Sequence, residues 1–357
     1  MAEIWSKIWQ ILLAIVFFGI IIFVHELGHF VFAKLFKVKV NEFALGMGPR
    51  LFGFTKGDTK YSLRLFPIGG YCAMEGENED SEDSGAFCNK KVWQRIIIVA
   101  AGATMNILLG FIIFGILNSS ADLVGTTKIA RFDDNAVSAT CDLKEGDRII
   151  KIDGTRIFTA TDMAYCLTRG DDQYVDMTIE RDGKKIELVE VEFPQEEYEG
   201  RTILIRDFWL LGEEPNFFNR LSYTLKETIA TENMVRLSLL DMITGKYGLK
   251  DLSGPIGTME IISDAAGDIS SDDKEERKAA IEYLLFLMAF ISINIGMVNV
   301  LPIPALDGGR LFFLVIEAIR RKPIPQKYEA YVHAAGMILL LALIAVISLK
   351  DIIYLFK

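Results

Sequence analysis

The chain has 357 residues, 51% of them hydrophobic, and a mean hydropathy of +0.29, which is high for a soluble protein and points to membrane spans. A formal net charge of −10 argues against the basic footprint that nucleic-acid binding needs, so no nucleic acid is expected as a partner. With only three histidines, a histidine-based metal site has few possible members.

A helical span takes roughly 20 apolar residues, and four segments qualify. The first runs from about Ile8 to Phe36 and is interrupted by the polar His25-Glu26-Leu27-Gly28-His29. Its start, Lys7 followed by apolar Ile11 to Val24, has the look of a secretory leader. No small-residue cleavage site follows, so it is expected to stay as a span. The others are about Ile96–Leu117, Tyr283–Leu301 and Val332–Leu349.

Lysine and arginine in the short loops set the orientation. Lys37, Lys39, Arg50, Lys56, Lys60, Arg64, Lys90, Lys91 and Arg95 lie between spans one and two; Arg310, Arg320, Arg321, Lys322 and Lys327 lie between spans three and four. Both loops are therefore expected on the cytoplasmic side, and both termini and the segment from about Asn118 to Ala280 outside. The first loop has strand character, with a hairpin expected from Phe52–Thr55 and Tyr61–Phe66 around Lys56-Gly57-Asp58-Thr59.

From Thr126 to about Phe193 the outer segment reads as a small mixed domain. Strands are expected in KIAR, DRIIKIDG, YVDMTIERDG and KKIELVEVEF, turns at Asp153-Gly154 and Asp182-Gly183, and a helix over Thr159–Arg169. From Pro215 to Lys250 the pattern is an amphipathic helix, with Phe217, Phe218, Leu221, Leu225 and Ile229 near helical spacing. Ser270–Lys278 is charged and reads as a solvated linker. Cys72, Cys88, Cys141 and Cys166 form no CxxC pair, so thiolate metal binding is not expected and unpaired residues are. A Cys141–Cys166 bridge stays open for a domain outside the cell.

His25 and His29 stand at i and i+4, on one face of a helix, so their imidazoles can share one metal ion. Glu26 follows the first of them and can take a proton from a water at that metal. Zinc fits best, because a catalytic zinc keeps three protein ligands and one open position. Ionisable groups inside an apolar span are costly and usually functional. The third ligand lies elsewhere. His333 starts span four and reads as a packed interfacial histidine. The better candidate is Asp307, in Asn299-Val-Leu-Pro302-Ile-Pro304-Ala-Leu-Asp307-Gly-Gly, where two prolines break the helix near the depth of HELGH. Asn299 can donate to a developing oxyanion or hold substrate backbone, or serve only as helix-packing glue. Asn106 has the same ambiguity and reads as packing.

On these residues the chain resembles the site-2 protease family, in its bacterial regulator-of-sigma-E-protease type, over nearly its whole length. HELGH matches the family's HExxH, and Asn299 to Gly308 its N-x-x-P-x-P-x-L-D-G, which implies Asp307 as third zinc ligand. Gly46–Pro49 and Pro67–Tyr71 resemble a membrane-associated β-element, and Trp93-Gln-Arg with Ala101-Gly102…Asn106 the second-span signature. Ser253-Gly-Pro-Ile-Gly257 recurs in such proteins. Leu143-Lys-Glu-Gly146-Asp147-Arg148-Ile-Ile-Lys-Ile-Asp153-Gly154 resembles a PDZ domain, here a single one. Ala-Thr-Cys141-Asp stands where a small Ala-Gly pair is usual, and no clear carboxylate-binding loop is visible.

The resemblance implies a polytopic α-helical membrane protein with four transmembrane helices, a cytoplasmic-side membrane-associated β-hairpin region and one extracytoplasmic PDZ-like α+β domain. The expected division is transmembrane helix 1 with HExxH at 1–36, the hairpin region at 37–95, helix 2 at 96–118 and the PDZ-like domain at 119–212. An amphipathic segment and linker follow at 213–280, then helix 3 at 281–301, the LDG loop at 302–331, and helix 4 with its tail at 332–357. The expected activity is intramembrane zinc-dependent proteolysis in a bacterial inner membrane, with the active site near the cytoplasmic side. Zn2+ is the expected cofactor, with metal ligands His25, His29 and Asp307 and catalytic residues Glu26 and Asn299. Single-span membrane proteins (anti-sigma factors among them) or remnant signal peptides are the expected substrates. The alternatives are a non-proteolytic membrane scaffold using its PDZ-like domain, which would lack stoichiometric zinc, and a metal transporter, for which the spans supply too few further ligands.

Overall fold

The computed structural model describes residues 2–77, 79–169, 173–198, 201–246, 248, 254–267, 269 and 273–355. Ser253 of the SGPIG motif, and residues 270–272 of the expected linker, lie outside them. The chain divides into two compact units, residues 1–113 with 242–357, and residues 114–241.

Among the described residues, four helices are long and apolar enough to cross a membrane: α1 (Ala2–Leu35), α2 (Val92–Ser120), α6 (Lys274–Val300) and α8 (Gln326–Leu355). Each runs a few residues beyond the apolar core that marks it in the sequence. The linker expected over Ser270–Lys278 is in part the start of α6. Asp273 caps it, its carboxylate accepting from the N–H of Glu275 at 2.8 Å, which satisfies a donor the helix itself leaves open. α1 ends where Lys37 turns left-handed (φ 57°) and the Val38 N–H reaches back to the Ala33 carbonyl at 2.8 Å. Ile338 and Leu339 of α8 are more than 70% exposed, which suits a surface facing lipid tails and would be a liability in water.

Between α1 and α2 the chain forms β1 (Val40–Lys56) and β2 (Thr59–Met74). The expected hairpin is present but larger. Gly46 and Gly48 take φ of 85° and 84°, a region that favours glycine, and there the long strand folds on itself. Phe43 and Ala44 therefore pair on one side with Tyr61 and Ser62 and on the other with Cys72 and Tyr71. Val40–Leu45 becomes the central segment and Gly70–Met74 an edge.

Two further helices complete this unit. α5 (Pro255–Gly267) buries Ile262 and Ala266 against Ala14, Phe17 and Ile21 of α1. The buried Asp351 carboxylate of α8 accepts from the N–H groups of Gly254 and Gly257 at 2.9 and 3.0 Å, fixing the start of α5. α7 (Asp307–Arg320) lies where a loop is expected over 302–331; it begins at Asp307, just after the proline-broken segment.

The second unit holds a six-stranded antiparallel sheet. Its strands are β3 (Val124–Phe132), β4 (Arg148–Ile152), β5 (Thr155–Arg156), β6 (Tyr174–Arg181), β7 (Lys184–Glu192) and β10 (Phe208–Glu213), ordered β10-β3-β4-β6-β7 with β5 beside β4. Asp153-Gly154 and Asp182-Gly183 all have positive φ, the geometry of tight two-residue hairpins. α4 (Phe217–Thr244) forms within the stretch expected as an amphipathic helix. The helix α3 (Ala160–Arg169) supplies Met163 and Leu167 to a core with Ile149, Ile152, Met177 and Ile179. Each such fully buried side chain contributes about 1.5–3 kcal/mol. A short hairpin, β8 (Gln195–Tyr198) and β9 (Arg201–Leu204), was not legible in the sequence. All four cysteines are free thiols, so there is no Cys141–Cys166 bridge.

Candidate metal centre

His25 and His29 lie one turn apart on α1, their rings 4.9 Å apart and nearly perpendicular. Their Nε2 atoms are 3.2 Å apart, and Oδ2 of Asp307 is 3.1 Å from each. The His29 Nδ1–H donates to the Ile98 carbonyl at 2.9 Å, which leaves the lone pair on Nε2, facing inward. Oδ2 of Asp307 is buried without a hydrogen-bond partner among the described residues. Two imidazole nitrogens and a carboxylate oxygen, each a possible metal-ligand atom, thus converge.

That arrangement fits a metal ion. A tetrahedral zinc with bonds of about 2.0–2.1 Å spaces its ligand atoms about 3.3 Å apart, close to the separations here. Burial alone would raise the Asp307 carboxyl, but the two imidazoles hold it well below the ordinary carboxylate range.

The backbone reasons for this convergence are local. α2 presses on α1 because Gly102 carries no side chain; a Cβ there would lie 2.8 Å from Cε1 of His25 and closer still to the His29 ring. Gly28 makes the reciprocal gap, against the Ala101 backbone. Asp307 is delivered by the turn after Pro302 and Pro304. In that turn Ala305 takes φ of 82°, costly for a residue with a Cβ, and its N–H donates to Nδ1 of His333 at 3.2 Å. His333, read from sequence as a packed interfacial residue, therefore braces the loop that carries Asp307.

A cavity of about 380 Å³ opens on this cluster. Glu26 lines it beside the three converging side chains, as do Tyr71, Cys72, Met74, Glu77 and Arg310. The edge segment Gly70–Met74 forms one wall, and Gly70 lets its backbone lie against Cγ of Glu26. Arg310, one turn beyond Asp307, pairs with Glu77 and with Glu329. Cys72 is buried, which pushes its thiol well above the ordinary range and keeps it protonated. Asn299, in the last turn of α6, is half-buried and does not line this cavity. Cys72, Glu77 and Arg310 gave no signal in the sequence; they enter the site by folding.

The sequence pattern of the peptidase family M50 matches residues 13–343. The chain belongs to that family. It is 35% identical over 347 residues to a relative from Clostridium acetobutylicum named as a zinc metalloprotease, covering 97% of this chain and 98% of the relative. It is 36% identical to another so named from Clostridium perfringens, over 96% and 98%. It is also 29% identical to the regulator of sigma-W protease RasP of Bacillus subtilis, over 96% and 98%. The chain is accordingly a zinc-dependent metalloprotease of the site-2 type in a membrane, and the alternative of a non-proteolytic scaffold falls away.

Proposed function

We propose that this protease hydrolyses peptide bonds within or near the transmembrane segments of other membrane proteins, with zinc held by His25, His29 and Asp307. The observation that carries the proposal is the meeting of three acceptor atoms within 3.2 Å of one another, two of them contributed by a helix long enough to span a bilayer. Held by these three residues, a zinc ion would supply Lewis acidity for the scissile carbonyl and for a neighbouring water.

Glu26 faces the same cavity and takes the proton of the attacking water, then delivers it to the departing amine. Substrate must unwind, since a helix hides its carbonyls in its own hydrogen bonds. The unwound strand gains partners by adding to an exposed sheet edge. Gly70–Met74 suits this better than the Phe52–Phe66 stretch expected from sequence, because it lines the cavity and among the described residues pairs on one side only, with the Val40–Leu45 segment. Asn299 would act on the substrate, away from the metal ligands.

The lysine and arginine distribution supports a catalytic cavity near the cytoplasmic face and an extracytoplasmic sheet domain. That domain is read as PDZ-like from Leu143–Gly154 and serves to exclude bulky ectodomains. Single-span proteins already trimmed outside, anti-sigma factors among them, and remnant signal peptides fit such a filter. Cleavage of a single-span reporter in detergent, with products mapped by mass spectrometry, tests the proposal. Wild type should cut within the span, and Glu26→Gln should lose activity by about 10²–10⁴-fold while keeping zinc. Full activity in Glu26→Gln would defeat it.

A further inference from the structure

The environment of His25 contains a mismatch. Its Nδ1 is 3.3 Å from Nδ2 of Asn106, on α2, while Oδ1 of the same amide is buried without a partner among the described residues. A histidine that offers Nε2 to a metal carries its proton on Nδ1, so two donors would face each other. A buried amide oxygen with no donor is costly, because it has given up its water partner and gained none. Turning the carboxamide half a revolution about its last bond removes both faults at once: Oδ1 then accepts from His25 Nδ1–H.

We propose that Asn106 is the positioning residue for the first metal ligand, holding the His25 ring in the tautomer and orientation that leave Nε2 free. The proposal rests on His25 being a ligand. Asn106 is fully buried, and its backbone is anchored by Ser292 of α6, whose hydroxyl donates to the Asn106 carbonyl at 2.8 Å. Its Cβ faces the gap left by Gly296, so α6 packs close behind it. The partnership mirrors that of His29 with the Ile98 carbonyl. One helix, α2, would thus supply an acceptor behind each imidazole, a backbone carbonyl for one and a side chain for the other. Metal-bound histidines commonly have such acceptors, and their loss weakens binding by about 10–100-fold. Sequence alone reads Asn106 as packing, since its neighbour His25 is 81 residues away.

The test is zinc affinity, measured by competition with a chromophoric chelator on full-length protein in detergent, beside the thermal stability of the metal-free form. Asn106→Leu, similar in size but without an acceptor, should bind zinc about 10–100-fold more weakly, while Asn106→Asp, which keeps the acceptor, should stay within a few-fold of wild type. Asn106→Ala carries the leucine expectation should the leucine variant not fold. Wild-type affinity in Asn106→Leu or Asn106→Ala, or equal weakening in these and Asn106→Asp, would overturn the inference and leave a packing role. His25→Ala separates the two levels: if it binds zinc like wild type, the ligand assignment itself has failed.

Discussion

Gly102 has no chemistry of its own, yet the close approach of α2 to His25 and His29 depends on it. A methyl group there would press on both imidazoles, whose positions are fixed by α1. Gly102→Ala should therefore weaken zinc binding at least tenfold without abolishing membrane insertion, read from zinc content after dialysis against a mild chelator. The opposite sign holds at Ala305, where φ of 82° strains any residue with a Cβ. Ala305→Gly should relieve about 1 kcal/mol, visible as a higher unfolding midpoint, provided the His333 hydrogen bond is kept. At this scale the sequence was informative where residue type and spacing encode chemistry. His25, Glu26 and His29 could be read as a set because helical geometry alone brings them together. Asp307 could be read from the two prolines that break its helix near the depth of His25 and His29. Asn106 and His333 read from sequence as packing residues, because their contacts with His25 and with the Ala305 N–H are made across elements far apart in the chain.

The elements show the same division. The four apolar helices were legible because about 20 apolar residues have few other fates. The hairpins at Asp153-Gly154 and Asp182-Gly183 were legible because those dipeptides favour positive φ. α7 was hidden behind Pro302 and Pro304, which mark a break without saying that a helix restarts at Asp307. The double-sided pairing of Val40–Leu45 was hidden as well; it follows from a bend at Gly46 and Gly48 whose partners lie on both sides. The start of α5 gives a prediction for an element held from outside itself. Asp351→Ala leaves the N–H groups of Gly254 and Gly257 without their acceptor, which should cost about 1–3 kcal/mol and raise hydrogen exchange at the start of α5.

On the scale of the whole molecule, each compact unit is held by its own interactions. In the unit with the six-stranded sheet the fully buried Asp147 receives Nε of Arg181 at 2.7 Å and its NH2 group at 2.8 Å, and also the Lys144 N–H at 2.8 Å. Removing one partner of such a pair costs about 3–5 kcal/mol, so Arg181→Ala should unfold this unit at markedly lower denaturant concentration. The other unit carries the cavity beside His25, His29 and Asp307, where α1 and the start of α7 bring together residues nearly three hundred positions apart in sequence. Whether those residues form one zinc site is tested most directly by X-ray absorption at the zinc edge of the purified protein. The expected shell is two histidine nitrogens and oxygen at about 2.0–2.1 Å, with one fewer protein oxygen and much weaker binding in Asp307→Ala. A sulfur at about 2.3 Å, which would make Cys72 a ligand, or a spectrum and zinc content unchanged in Asp307→Ala, would contradict the account.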